Sequence, residues 1–131
     1  DCRACQYYSC VEADSGLDCG DGGYFRGYGQ KYCSRFSAIT ALRMSAEGEL
    51  WMENVRRCLM RSMEGILPDA DCANVKAEAF ASHPPCYVES GLCSLPPADW
   101  LQIVATIAPW DNDLRQVIIS GSSCLREWFG Q

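Results

Sequence analysis

The chain has 131 residues, the length of one domain spanning 1–131, and its apolar content of 48% is globular rather than disordered. Its longest apolar stretch, 101–110, is interrupted by Gln102 and Pro109, so no membrane span is predicted. A net charge of −6 argues against a nucleic-acid partner, which requires a clustered basic face, and against binding to anionic lipid surfaces.

In chain order, residues 3–12 suit a short helix pinned by Cys2, Cys5 and Cys10. Six glycines then crowd into 15–29 (Gly16, Gly20, Gly22, Gly23, Gly27 and Gly29), which predicts a loop. Tyr32, Phe36, Ile39 and Leu42 recur at helical spacing across 28–43. Ser45 is a fitting N-cap for the next helix, with Glu47 and Glu49 near its positive end and Trp51, Val55, Cys58, Leu59 and Met63 on one stripe. Pro68 is expected to stop it. Asp69 or Asp71 caps a further helix carrying Cys72, Val75, Ala79 and Phe80, expected to end before Pro84-Pro85. Residues 86–93 read as one or two turns closed by Gly91. Pro96-Pro97 opens a helix with Trp100, Ile103, Val104 and Ile107, ended by Pro109. Asp111 or Asn112 caps the last helix, which aligns Leu114, Val117, Ile118, Gly121, Leu125 and Trp128. No stretch alternates in the manner of a strand. The expected fold is all-α: a disulfide-stapled domain of about five to seven helices with a Gly-rich N-terminal loop.

Ten cysteines is an even and unusually high count. Cytosolic proteins keep thiols reduced and seldom carry so many, so the chain reads as secreted and extracellular. It begins at Asp1 without a charged-then-apolar leader, and any signal peptide is expected to have been removed. Zinc needs paired Cys-x-x-Cys or Cys/His spacing, but Cys2-x-x-Cys5 stands alone and the single histidine, His83, precedes two prolines. The cysteines therefore read as five structural bridges, each contributing about 2–4 kcal/mol by restricting the unfolded chain. No Asn-x-Ser/Thr sequon is present at Asn54, Asn74 or Asn112.

The chemistry available elsewhere is sparse. His83 has no assignable nucleophile and reads as a helix-terminal structural histidine. The glycine-rich stretch lacks the Cys-Cys and His-Asp pairs of a secreted phospholipase A2 and the strand and Lys-Ser/Thr of a P-loop. Asp14, Asp18 and Asp21, with Glu12 nearby, could offer oxygens to calcium, but their spacing is not that of an EF-hand. Glu12/Asp14 and Glu47/Glu49 are carboxylate pairs with no sugar cleft to mark them. Arg56-Arg57 has the form of a dibasic processing site but lies mid-helix and reads as a surface pair. No catalytic residue, metal or cofactor is expected. Tyr24, Phe25, Tyr28 and Tyr32 are expected to pack back on the helices. Trp128 and Phe129, with Tyr24 and Phe25, are the candidate partner-binding residues, because aromatics are enriched in interface hot spots.

Ten cysteines allow hundreds of pairings, and spacing alone selects none. The order CxxxxC at 5–10, KYCSRF at 31–36, GELWMENVRRC at 48–58, DCANVKAEAF at 71–80, CYVESGLC at 86–93 and a final Cys124 resembles the stanniocalcins. Cys72, Cys86 and Cys93 are separated by 14 and 7 residues, intervals that the vertebrate stanniocalcins keep. The Cys2-to-Cys5 interval is shorter here, and the glycine-rich segment between Cys19 and Cys33 is longer. The resemblance implies the bridges Cys2–Cys10, Cys5–Cys33, Cys19–Cys72, Cys58–Cys86 and Cys93–Cys124. It also implies the general class of that family: extracellular regulators, non-enzymatic, associated with calcium and phosphate balance and with inhibition of a metalloprotease. The family's additional dimer-forming cysteine has no counterpart here, so a covalent homodimer is not expected. The expected function is a secreted signalling or binding protein acting on an extracellular protein or receptor. The alternatives are a toxin or defence effector acting on a channel or receptor, and a helical carrier of a lipid or other apolar ligand.

Overall fold

The computed structural model describes residues 2–38, 40–67, 70–106 and 112–129, with side chains in the last stretch described at 119–128. A 3-10 turn, Ala4–Gln6, leads into α1 (Tyr7–Ser15). The glycine-rich segment is irregular only from 16 to 23. From Tyr24 the chain is already helical, first as a π turn, Phe25–Gly29, then as α2 (Gln30–Ala38). The loop expected over 15–29 is therefore half as long as its glycines suggest. Burial explains the difference: Tyr24 and Phe25 enter the core, and the area they remove from water outweighs the poor helix propensity of Gly27 and Gly29.

A second 3-10 turn, Thr40–Arg43, separates α2 from α3 (Ala46–Ile66). Ser45 caps α3 as its residue type demands, accepting from the Gly48 N–H at 3.0 Å, and Glu47 and Glu49 lie in the first turn. Trp51, Val55 and Met63 face inward from α3. Asp71 caps α4 (Cys72–Glu89) through the Asn74 N–H at 2.8 Å. Contrary to expectation, α4 runs through Pro84 and Pro85. Each proline withholds an N–H from the carbonyl four residues back, at a cost of roughly 3 kcal/mol in a helix interior. The following turn offsets this: Cys86 is bridged to Cys58 on α3, and Tyr87 is buried with its carbonyl bonded to Trp51 Nε1 at 2.9 Å. The expected separate segment at 86–93 thus begins as the last turn of α4 and continues as a 3-10 turn, Leu92–Ser94.

Two helices follow, α5 (Pro97–Thr106) and α6 (Asn112–Phe129). α5 buries Ile103 and Asp99, and α6 buries Ser120 and Cys124. The apolar residues Leu42, Val104 and Leu125, predicted on inward stripes, are exposed. Ile39, Pro68, Asp69, Ile107, Pro109, Asp111 and the side chains of Leu114, Val117, Ile118 and Phe129, whose roles the sequence predicts, lie outside what is described.

The described residues form six α-helices and no strand, an all-α fold stapled by disulfides. α3 packs on α4, and α4 packs on α6. Two cores result. One gathers Tyr8, Tyr24, Phe25, Met63, Val75, Ala79 and Phe80 around the N-terminal elements. The other gathers Met44, Trp51, Val55, Tyr87, Leu92, Ile103 and Cys124. The bridges are Cys2–Cys10, Cys5–Cys33, Cys19–Cys72, Cys58–Cys86 and Cys93–Cys124, the set that the resemblance implies. All ten cysteines are consumed within the chain. No described helix is long and apolar enough to cross a membrane.

Candidate functional site

The acids of the glycine-rich segment already have a cation. Arg26, one residue into the π turn, reaches Glu12 Oε1 with Nε at 3.0 Å, Asp21 at 3.2 Å and Asp18 at 3.3 Å. The bond to Glu12 is the main cause of a guanidinium pKa raised above its ordinary value. The other Glu12 oxygen accepts from the Cys19 N–H at 2.9 Å, which ties α1 to the loop beside the Cys19–Cys72 bridge. Asp14 is exposed and stands outside this cluster. The place that a calcium ion would take among Glu12, Asp18 and Asp21 is filled by a guanidinium. Among the described residues, no group of three or more His, Cys, Asp or Glu is arranged to hold a metal.

The carboxylate pairs are not brought together as acid and base. Glu12 is spent on Arg26 and Cys19, and Glu47 and Glu49 are exposed on the first turn of α3. Arg57 forms a surface pair with Glu53 one turn earlier, at 3.7 Å.

His83 is not helix-terminal. It sits in the interior of α4, surrounded by the rings of Phe80, Tyr24 and Tyr87 at centroid distances of 5.7, 6.1 and 5.7 Å. Its Nε2 lies 3.0 Å from the Tyr24 hydroxyl. Burial disfavours the charged ring and lowers its pKa from 6.5 to about 4, so the imidazole is neutral at neutral pH.

The candidate partner-binding aromatics divide. Tyr24 and Phe25 are 2% and 0% exposed and belong to the core, a correction to their reading as contact residues. Area burial decided this: a Tyr-Phe pair beside glycines has no close-packed neighbours of its own and collapses onto Tyr8 and Phe80. Trp128 stays 48% exposed. Its indole N–H donates to the Cys93 carbonyl at 2.9 Å, and its ring lies 6.2 Å from that of Trp100 on α5. Leu125, one turn earlier on α6, is exposed beside Trp128 in sequence register.

Between the two cores lies a half-open cavity of about 70 Å³, lined by residues from both, including Tyr8, Tyr32, Trp51, Val55, Arg56 and His83. That exceeds the roughly 10–15 Å³ that one water needs and is about half of the roughly 150 Å³ that encloses a benzene ring. A second hollow of about 220 Å³ is formed by Arg35, Thr40, Arg43, Gln102, Ala105 and Thr106. The first cavity was not visible in the sequence. Its lining residues read individually as core positions of separate helices, and only the packing of α1, α2, α3 and α4 makes them converge.

Compared with family models, curated proteins and solved structures, the chain matches none.

Proposed function

We propose that this chain is a secreted, non-enzymatic signalling or binding protein of stanniocalcin-like type that acts through an extracellular protein partner. The observation that carries the reading is Trp128: a half-exposed indole, oriented by a hydrogen bond and a neighbouring tryptophan, on a helix clamped by Cys93–Cys124. A large amphipathic ring held in one orientation loses little entropy on binding, which is the character of an interface anchor. The five bridges support the stanniocalcin-like class because they coincide with the pairing that this class implies. Extracellular location is supported by the same bridges, which persist in oxidising surroundings. A lipid carrier is disfavoured, since the apolar cavity of about 70 Å³ is too small to enclose an acyl chain.

The test is capture from native extracellular fluid on the immobilised, disulfide-intact chain, with mass spectrometry of what is retained. A specific protein held by the wild type and by Trp128→Phe, and lost by Trp128→Ser with an unchanged helical signal, is the expected result. Recovery of no protein in repeated trials, or equal recovery on Trp128→Ser, sinks the reading.

A further inference from the structure

We propose that the cavity between the two cores is a binding site for a small aromatic anion, with the ring inserted between Tyr32, Trp51 and Val55 and the acid group on Arg56. It is half-open, so a ring can enter edge-first with part of it left in the mouth, and its lining is dominated by aromatic and aliphatic side chains. Polarity at the mouth selects the charge. Arg56 is the one charged residue in the lining, is half-buried, and has no carboxylate partner among the described residues, whereas the adjacent Arg57 is paired with Glu53. Lys31 and Arg35 lie outside the lining, engaged with the Tyr32 ring at 5.3 and 5.2 Å from its centroid, so Arg56 supplies the site's positive charge. No Asp or Glu lines the cavity, although acids outnumber bases 17 to 11 in the chain. A guanidinium as the one charge on an aromatic cleft favours an anionic ligand and repels a cationic one. A guanidinium presents a planar fork of donors matched to a carboxylate or sulfonate. This site uses residues other than those at Trp128 and does not depend on the protein-partner reading.

The experiment is an NMR titration of the isotopically labelled, disulfide-intact chain at neutral pH with 3-phenylpropionate, 3-phenylpropan-1-ol and 3-phenylpropylamine. The Trp51 indole N–H, which donates to the Tyr87 carbonyl at the cavity wall, is the reporter. In the wild type the reporter shifts saturably, and the anion binds more tightly than the alcohol by up to about fivefold, the worth of one partly exposed charge pair, with the amine weakest. Arg56→Gln brings anion and alcohol to equal affinity and leaves the alcohol's affinity unchanged. Val55→Phe fills the cavity and abolishes binding of both, and Leu59→Phe, on the half-buried part of the lining, serves if Val55→Phe fails to fold. No saturable shift at millimolar ligand, an anion preference that survives Arg56→Gln, or binding undiminished in a folded cavity-filled variant overturns the proposal.

Discussion

The carboxyl of Asp99, at the start of α5, accepts from the backbone N–H of Ser45 at 2.9 Å and from the Ser45 hydroxyl, so one helix's first turn caps another's. Ser45 passes the same interaction on, its Oγ accepting from the Gly48 N–H. Asp99 is buried, and a Cβ added to Gly48 would stand 2.7 Å from Asp99 Oδ2. Glycine at 48 is what lets the carboxyl approach. Asp99→Ala is expected to lose about 2–3 kcal/mol, the worth of hydrogen bonds to a charged group, and Ser45→Ala about 1 kcal/mol. Urea unfolding with the bridges intact measures both. The double variant should be less destabilised than the sum by at least about 0.5 kcal/mol, because the two residues act as one cap.

His83 predicts an acid-sensitive stability. The unfolded chain takes up a proton near the ordinary histidine pKa of 6.5, while the native ring resists protonation until about pH 4. Between these values the unfolded state binds more protons, so stability falls as pH drops from 6.5 to 4 and levels off below, by roughly 3 kcal/mol in all. Carboxyl groups titrate in the same region, so the comparison variant matters. His83→Phe, which keeps an apolar ring among Tyr24, Phe80 and Tyr87, should flatten the slope between pH 6.5 and 5 in urea midpoints. An unchanged slope contradicts the assignment.

Gly29 sits where the π turn crosses α1, and a Cβ there would lie 2.6 Å from the Tyr8 ring. Tyr8 is buried, with its ring edge-on to those of Tyr7 and Tyr24. Gly29→Ala is expected to destabilise by about 1–3 kcal/mol through overpacking, despite alanine's better helix propensity. Thermal unfolding distinguishes this from the stabilisation that propensity alone predicts.

The bridges should not be equivalent. Cys19–Cys72 spans 53 residues and Cys2–Cys10 spans 8. Loop-closure entropy makes the first worth about 4 kcal/mol and the second about 2.5 kcal/mol. Replacing each pair by serine should therefore lower the denaturation midpoint more for Cys19/Cys72. A reversed order would show that native contacts rather than chain entropy set the ranking.

Ala4 adopts a positive φ of 51°, in the left-handed region that costs a β-carbon about 1–2 kcal/mol. Ala4→Gly is expected to be neutral or stabilising by up to about 1 kcal/mol, since glycine's added freedom in the unfolded chain offsets part of the relief. A clear loss of stability on calorimetry contradicts this.

Much of the architecture was legible from local rules. Ser45 caps α3 as predicted, and Asp71, one of the two residues expected to do so, caps α4, because a cap needs one side chain and the N–H groups just after it. The inward stripe of Trp51, Val55 and Met63 on α3 follows from a 3.6-residue period. The cysteine order, through the family it resembles, implied the bridges that the structure contains. Where these local rules failed, a distant contact outweighed a local preference. α4 continues through Pro84 and Pro85 because Cys86 and Tyr87 are fastened to α3, and the glycines at 27 and 29 became helical because Tyr24 and Phe25 found a core.

The sequence by itself determined the helical class, the capped starts of α3 and α4 and the oxidised framework, since each depends on short-range spacing or on cysteine chemistry. Only the tertiary structure decided which aromatics remain outside, that Arg26 stands where a metal ion would among the loop acids, and that Arg56 meets an apolar cavity. Those outcomes depend on side chains from four helices meeting in space, and no periodicity within one segment encodes a meeting between segments.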